Sequence, residues 1–271
     1  MKIRAVSALV AVLAFVLTYW FFRIEGLLAI GVLVSFGCIY EYARLTFRNG
    51  NSRRSLRWSF VLLCSALFLT TLFFDRPIAS IAQAAIYFLT IVLFNVSSKE
   101  DLANSMQLQG VGLMGFLYVG IFPALALRIL RLPEGDIWFF GLLAIVFAGD
   151  TMAYITGRFF GRRKLFEAVS PKKTIEGAFG GLFGSALAGI AIAQFLPPEG
   201  SSWMMIGAAT VTGAFAQVGD LYESLIKRVA DVKDSGSIMP GHGGMLDRLD
   251  GVLFAAPIYF SLLSFITNRY Y

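Results

Sequence analysis

Long apolar runs dominate this sequence and restrict it to a membrane environment. A helix that crosses the hydrocarbon core needs about 20 apolar residues, and the 271-residue chain contains nine runs of this kind, of which the second and ninth are short. They cover approximately residues 5–22, 27–40, 58–74, 77–96, 111–127, 138–154, 179–196, 203–218 and 252–266. A composition of 57% hydrophobic and 15% charged residues excludes a water-soluble domain. The pattern predicts an all-α, polytopic integral membrane protein with about nine transmembrane helices.

The first apolar run has two interpretations. Lys2 and Arg4 precede it, as in a secretory signal peptide, but no small-residue cleavage site follows its aromatic end. A retained membrane helix is therefore favoured. Cys38 and Cys64 both lie inside apolar runs, which favours small buried side chains over a disulfide or a metal site.

The basic residues predict the orientation of the chain, because cytoplasmic loops collect Lys and Arg. With nine spans and a cytoplasmic N-terminus, 18 of the 23 Lys and Arg residues fall on the inner side. The outer side keeps Arg23, Arg76, Arg128, Arg131 and Arg269. We expect a multi-pass protein of the inner (cytoplasmic) membrane, with its active site facing the cytoplasm.

A net charge of +6 on a membrane protein indicates contact with anionic lipid headgroups, not with nucleic acid. In residues 44–58, five Arg alternate with Leu, Phe and Trp, which suits a segment lying along the inner surface of the bilayer. Ordinary basic flanks of membrane helices would give the same pattern, and both interpretations stay open.

Polar residues divide the chain into two regions. Residues 1–135 hold about five apolar runs with few polar groups outside the loops, and we assign them to an N-terminal transmembrane domain. Residues 136–271 carry most of the candidate functional groups. We expect this second region to be catalytic, with a polar site at the cytoplasmic face.

Asp150 is the first of these groups. An ionised carboxylate at membrane depth costs about 2.5–3.5 kcal/mol or more, so it should not face lipid. Tyr154 and Gly157 follow it at helical spacing and share its face, which is expected to line the protein interior or a wet cavity. The alternative is a helix end at the interface.

A basic segment follows. Ser170 and Pro171 suit the N-cap and first position of a helix, which would place Lys172 and Lys173 beside free backbone N–H groups. A helix start bearing two cations favours anion binding. A basic loop that opens a membrane helix would look similar.

The densest polar constellation begins at Asp220. With Glu223, Ser224 and Lys227 it forms one helical stripe, for which simple salt-bridge decoration is the alternative. The glycine-rich residues 240–244 follow, a turn whose backbone can approach phosphates closely.

Carboxylates follow this turn as well. Asp247 and Asp250 are three residues apart and are expected to share a helix face. Carboxylates beside Lys, Arg and a glycine loop indicate a magnesium–phosphate site. Zinc is disfavoured because His242 is the only histidine.

At these residues the sequence closely resembles the phosphatidate cytidylyltransferase family. The family's C-terminal signature is met by Ser224, Lys227, Arg228, Lys233, Asp234, His242, Gly243, Gly244, Asp247, Arg248 and Asp250. Upstream, the segments Asp150-Thr151-Met152-Ala153-Tyr154 and Ser170-Pro171-Lys172-Lys173-Thr174, with Gly157, Glu176 and Gly177, are also similar. Met239 stands where the family usually has another apolar residue. The match covers about residues 150–251.

The resemblance implies that phosphatidic acid attacks the α-phosphorus of CTP, giving CDP-diacylglycerol and pyrophosphate. The catalytic residues expected on this basis are Asp220, Ser224, Lys227, Arg228, His242, Asp247, Arg248 and Asp250. Substrate binding is assigned to Asp150, Tyr154, Lys172, Lys173, Thr174, Glu176, Lys233, Asp234, Gly243 and Gly244.

We expect one Mg²⁺, with a second cation left open. Its main ligands would be Asp220 and Asp247, with Asp250 and Asp150 in or near the shell. A phosphate monoester is already anionic at neutral pH, so His242 and Ser224 would position substrates and no strong base is needed.

Two other functions and one assembly state remain open. A related CTP-using membrane kinase would transfer the γ-phosphate to a prenol, and an ion-coupled transporter would also bury Asp150 and Asp220. No inverted repeat is evident, which argues against transport. The glycines Gly177, Gly180, Gly181 and Gly184 favour close helix contacts, within one chain or in a homodimer.

Overall fold

Helices make up nearly all of the described structure. A computed structural model describes residues 2–47, 51–74, 81–82, 85–86, 88–90, 92, 102–195, 202–236, 238 and 243–270. The main helices are α1 Lys2–Thr46, α2 Asn51–Phe73, α3 Leu102–Gly115, α4 Phe122–Arg128, α5 Gly135–Phe160, α6 Ile175–Ile192, α7 Ser202–Val229 and α8 Leu246–Tyr270. A π-helical segment, Phe116–Ile121, joins α3 to α4, and short 3₁₀ turns follow α4 and α6.

One antiparallel hairpin interrupts the helices of the described part. Its strands are β1 Lys164–Phe166 and β2 Ser170–Thr174, with Lys164 opposite Thr174 and Phe166 opposite Ser170. The hairpin lies between α5 and α6, so it is the connection between two long apolar helices.

Among the residues that the structure describes, six segments are long and apolar enough to cross a membrane. They are Val12–Thr46, Arg54–Phe73, Met106–Arg131, Gly135–Phe160, Ile175–Phe195 and Leu246–Ile266. The prediction of an all-α, multi-pass membrane protein is confirmed. The count of nine is not: the run at 77–96 lies largely outside the described residues, and the eighth run, within α7, is not among the six.

The first two apolar runs are not separated by a loop. Both belong to α1, which is broken only at Arg23, where φ is 51° and ψ is −133°. The expected outer loop between them is thus replaced by a single non-helical residue. Arg23 therefore forms a kink at which two helical segments meet.

The chain forms two compact units. The first contains Met1–Leu127 and Val229–Arg248, and the second contains Arg128–Arg228 and Leu249–Tyr271. The domain boundary at residue 135 expected from polarity stays a prediction.

An aromatic cluster holds the first unit together. Tyr42 stacks on Phe60 with ring centroids 5.7 Å apart, and Phe60 meets Phe47 and Phe116 at 5.4 and 5.3 Å. The Tyr42 hydroxyl donates to the Val111 carbonyl over 2.8 Å. These contacts join α1 and the adjacent Phe47 to α2, α3 and the π-helical segment, and so fix those helices to one another. Cys38 and Cys64 are buried free thiols, as predicted.

Small residues bring α5 and α6 together in the second unit. A methyl group added at Gly184 would meet the Ala148 carbonyl oxygen at 2.6 Å and the Met152 Cβ at 2.7 Å. Ser185 is fully buried, and its hydroxyl donates to the Ile145 carbonyl over 3.1 Å. The expectation that this glycine face makes close helix contacts is confirmed within one chain.

Candidate active site

The segment before α6 differs from the prediction. Ser170 and Pro171 do not begin a helix; they lie in β2, and α6 begins at Ile175. Thr174 is the true N-cap, since its hydroxyl accepts a hydrogen bond from the Gly177 N–H over 3.1 Å. Both Ser-Pro and Thr suit a helix start, and the strand pairing with β1 decides in favour of the later one. Lys172 and Lys173 therefore lie on the strand that leads into the helix.

Glu176 holds the other end of the hairpin. Its carboxylate accepts hydrogen bonds from the backbone N–H groups of Arg162 and Arg163, at 3.0 and 3.2 Å. Lys164 adds a bond from its ammonium to the Pro171 carbonyl over 2.6 Å. Glu176, expected to bind substrate, thus has a structural role in shaping the hairpin.

A cavity of about 470 Å³ opens between α5, the hairpin, α6 and α7, all within the second unit. Its polar lining contains Asp150, Tyr154, Arg158, Lys172, Lys173, Thr174, Gln217 and Asp220. Six of the substrate or metal residues expected from the sequence line it together: Asp150, Tyr154, Lys172, Lys173, Thr174 and Asp220. Cations and carboxylates that line the same cavity suit a ligand that carries phosphates and a metal ion.

The central ion pair of this cavity joins β2 to α7. The Lys173 ammonium lies 2.6 Å from Asp220 Oδ2, with 26% and 39% of the two side chains exposed. Because both groups stay accessible from the cavity, a ligand can reach either of them. A phosphate would compete with Asp220 for Lys173, and a cation would compete with Lys173 for Asp220.

Three carboxylates of the second unit interact electrostatically. Asp150 is repelled by Asp220 and attracted by Lys173. Asp250 is repelled by both Asp220 and Asp150 and attracted by Lys227. Like charges brought together in a partly buried site favour a bound cation. This group contains three of the four expected metal residues.

Two other residues of the α7 stripe, Glu223 and Lys227, pair with each other. Glu223 is buried, and its carboxylate forms an ion pair with Lys227 one turn later. Ser224 is half-buried beside it. Arg228 is exposed, and its Nε donates to the Val169 carbonyl over 3.3 Å. Salt-bridge decoration therefore accounts for part of the stripe, while Asp220 faces the cavity.

Asp247 lies in the first unit and organises the loop before α8. Its Oδ2 accepts hydrogen bonds from the Ser235 N–H, the Ser235 hydroxyl and the Gly244 N–H, at 2.8, 2.9 and 2.8 Å. Gly243 has a φ of 84°, a conformation that glycine adopts without strain. Although Asp247 and Asp250 are close on α8, their carboxylates have different partners.

The remaining expected residues are placed as follows. Lys233, Asp234 and Arg248 are exposed, and His242 lies outside the described residues. Across the described chain, no three acidic, histidine or cysteine side chains converge into a ready metal site. The assignment of Asp220 and Asp247 to one cation stays a prediction.

Three residues near these sites were not singled out from the sequence. Arg158 lines the cavity and donates to the Tyr154 hydroxyl over 2.9 Å. Gln217 also lines it and donates to the Ala178 carbonyl over 3.1 Å. Glu41 is buried in α1, and its carboxylate accepts a hydrogen bond from the Leu246 N–H at the start of α8. A carboxylate that directly follows an apolar run and precedes Tyr42 and Ala43 was the available signal for Glu41.

Comparison with known proteins gives the family. A model described as "Cytidylyltransferase family" matches residues 2–266. A 119-residue stretch is 45% identical to the phosphatidate cytidylyltransferase of Staphylococcus aureus strain COL, covering 44% of this chain and 46% of that protein. The phosphatidate cytidylyltransferase of Staphylococcus haemolyticus is 44% identical over 119 residues, which again cover 44% of this chain and 46% of that protein. The matches span about half the length of these curated relatives. Since the family model covers nearly the whole chain, the protein belongs to the cytidylyltransferase family.

Proposed function

We propose that this protein transfers the cytidylyl group of CTP to phosphatidic acid, forming CDP-diacylglycerol and releasing pyrophosphate. The single observation that carries the proposal is the cavity in which Lys173 meets Asp220 beside Lys172 and Asp150. The names of the relatives and the multi-pass architecture support a lipid acceptor. In the reaction, a lipid phosphate oxygen bonds to the α-phosphorus, and the bond from that phosphorus to the bridging oxygen breaks.

The residues of the cavity suit this chemistry. The lipid phosphate is already an anion at neutral pH, so the chain need not supply a strong base. The main barrier is repulsion between a phosphate and a triphosphate, which positioned cations reduce. In the proposed complex, Lys172, Lys173 and Arg158 contact phosphate oxygens. Lys173 would exchange Asp220 for a phosphate when CTP enters.

Asp150, Asp220 and Asp250 are the residues that would hold Mg²⁺. Their oxygens are the hard ligands that this ion prefers, and their mutual repulsion favours a cation. Mg²⁺ usually takes one or two carboxylates and completes its shell with water and substrate phosphates, so a complete protein cage is not required. When bound, the ion would neutralise the triphosphate and polarise the α-phosphorus. Asp247, which the sequence also predicts to be a ligand of Mg²⁺, is retained in this proposal, and a second cation is left open.

The orientation expected from the basic residues fits the same proposal. Because cytoplasmic loops collect Lys and Arg, the basic segment that contains Lys172 and Lys173 would face the cytoplasm, where CTP is present. The inner membrane would supply phosphatidic acid laterally. Phe159 and Phe160 are 73% and 69% exposed next to the hairpin, which suits contact with lipid chains on the way to the cavity.

Labelled CTP tests this proposal. Purified protein in detergent is incubated with Mg²⁺, phosphatidic acid or a prenol, and CTP labelled at the α- or the γ-phosphate. Transfer of the α-label to phosphatidic acid is the expected result. Transfer of the γ-label to the prenol would instead identify a lipid kinase. If neither label enters lipid, the enzymatic proposal fails and the transporter alternative stands.

A further inference from the structure

Glu41 is a buried carboxylate near the C-terminal end of the largely apolar helix α1. It lies in the candidate span Val12–Thr46, and only 2% of its surface is exposed. Its neighbours Ile39, Tyr42 and Ala43 are fully buried. A carboxylate in such surroundings is costly unless specific partners compensate for lost water.

Its partners come from the far end of the chain. Glu41 Oε2 accepts hydrogen bonds from the Leu246 N–H over 3.0 Å and from the Ser235 hydroxyl over 3.2 Å. Leu246 is the first residue of α8, where backbone N–H groups lack partners within the helix. Glu41 therefore caps α8 from another helix, at a helix end that attracts negative charge.

The same contact reaches Asp247. The Ser235 hydroxyl lies 2.9 Å from Asp247 Oδ2 as well as 3.2 Å from Glu41 Oε2. A hydroxyl has a single proton, so Ser235 can donate to only one carboxylate at a time and keeps the other within reach. The Asp247 N–H in turn donates to the Ser235 oxygen over 3.3 Å. Glu41, Ser235 and Asp247 thus form one connected polar network.

The backbone around Glu41 is shaped to fit it. A Cβ atom added at Gly236 would collide with Glu41 Oε1, and one added at Gly244 would collide with Glu41 Oε2 and the Ser235 hydroxyl. Neither residue has a positive φ, so glycine is required at these two positions by the lack of space and not by the backbone conformation. Among the described residues, Oε1 has no hydrogen-bond partner. The loop therefore packs directly on the carboxylate.

The helix that carries Glu41 is itself held in place. Tyr42, the next residue, stacks on Phe60 at 5.7 Å and meets Tyr118 at 6.2 Å. This aromatic cluster anchors α1 to α2 and to the π-helical segment. A contact made by Glu41 is consequently made from a rigid support, as an effective positioning group requires.

We propose that Glu41 is a positioning residue that holds Ser235, Gly236 and Gly244, which lie before α8, together with the start of α8, and thereby fixes the orientation of Asp247. The inference rests on the proposed cytidylyl transfer for its catalytic consequence. On this proposal the N-terminal helix α1 contributes to the reaction indirectly, because its Glu41 supports residues in the C-terminal half.

Two substitutions at Glu41 distinguish the role of its acceptor oxygens from the role of its side-chain volume. Glu41→Gln retains an acceptor oxygen for Ser235 and Leu246, whereas Glu41→Met fills the space without one. We expect Glu41→Met to lower kcat by about 10²-fold because small misplacements near a reacting group have effects of this size. Glu41→Gln should stay within about threefold of wild type, since the acceptor is retained. Gly110→Ala is the control, because a Cβ there meets nothing within 4 Å.

Hydrogen exchange provides a readout that does not depend on catalysis. In Glu41→Met, amide exchange in the peptide that spans Ser235 to Asp247 should accelerate about tenfold, as expected for loss of a hydrogen bond to a charged acceptor. Unchanged exchange overturns the proposal, whatever the activity. A Glu41→Gln variant as impaired as Glu41→Met also contradicts it. If wild-type protein shows no cytidylyl transfer, the proposed function fails, while the exchange result still decides whether Glu41 holds the loop.

A second site keeps the test valid if Glu41→Met does not fold. Gly236→Ala places a methyl group against Glu41 and should accelerate exchange in the same peptide. In the double variant, Glu41→Ala makes room for that methyl group. Its effect on amide exchange should therefore be smaller than the sum of the effects of the two single variants. Additive effects would show that the glycine and the carboxylate act independently, contrary to the proposal.

Discussion

Replacement of Gly184 by alanine tests the close packing that places Asp150. The added Cβ would lie 2.6 Å from the Ala148 carbonyl oxygen and 2.7 Å from the Met152 Cβ. Carbon atoms prefer separations of about 3.5–4.0 Å, so α5 and α6 would have to separate by roughly 1 Å. One of the obstacles is backbone, which no rotamer change removes. Overpacking of this kind costs about 1–3 kcal/mol.

Thermal unfolding in detergent measures this effect. At about 2–4 °C per kcal/mol, the expected decrease in Tm for Gly184→Ala is between roughly 2 and 12 °C. Gly207→Ala is the matched control, because Gly207 is exposed on α7 and a Cβ there meets nothing within 4 Å. That control should be neutral or stabilising, since alanine favours helix over glycine. A Gly184→Ala protein with a Tm at or above that of Gly207→Ala would refute the packing argument.

Two further substitutions test the hairpin and the cavity. Thr174→Ala removes the hydroxyl that caps α6 and should cost about 1 kcal/mol in unfolding free energy, whereas Thr174→Ser should restore it; equal Tm values for the two variants would contradict the capping role. Lys173→Met should raise the KM for CTP about tenfold or more, because hydrogen bonds to charged groups contribute about 1.5–3 kcal/mol. Steady-state kinetics with Lys173→Arg as the charge-retaining control checks this, and an unchanged KM in Lys173→Met would exclude a phosphate contact.

The helices were predictable from hydropathy because crossing a bilayer demands length and apolarity from each segment alone. The way in which the first two apolar runs are connected was not predictable from hydropathy. A single residue, Arg23, breaks α1, while Glu25 and Gly26, which could equally mark a loop, are helical. A local break of this kind leaves the composition of the run unchanged.

The start of α6 shows how local signals compete. Ser170-Pro171 and Thr174 both carry helix-start chemistry, and only pairing between β1 and β2 selects the second. Hairpin pairing depends on residues on both sides of a turn, so the rules for a single helix end miss it. The same pairing explains why Glu176 bonds to Arg162 and Arg163 instead of facing the cavity.

The sequence predicted several residues of the candidate site but not the contacts that hold them in place. The charges of Asp150, Lys173 and Asp220 identified them, and they share one cavity. Glu41 was missed because its partners, Ser235 and Leu246, lie 194 and 205 residues away in sequence. Contacts at such separations depend on the packing of the helices, which the periodicity of a single segment does not specify.

Binding of CTP with and without Mg²⁺ tests most directly whether carboxylates of the second unit hold a cation against nucleotide phosphates. Equilibrium binding is compared for wild type, Asp220→Asn and Asp231→Asn, the last removing an exposed carboxylate outside the cavity. We expect Mg²⁺ to strengthen CTP binding to wild type and to Asp231→Asn, and to have little effect on Asp220→Asn. A Mg²⁺ dependence in Asp220→Asn equal to that of wild type would contradict the account.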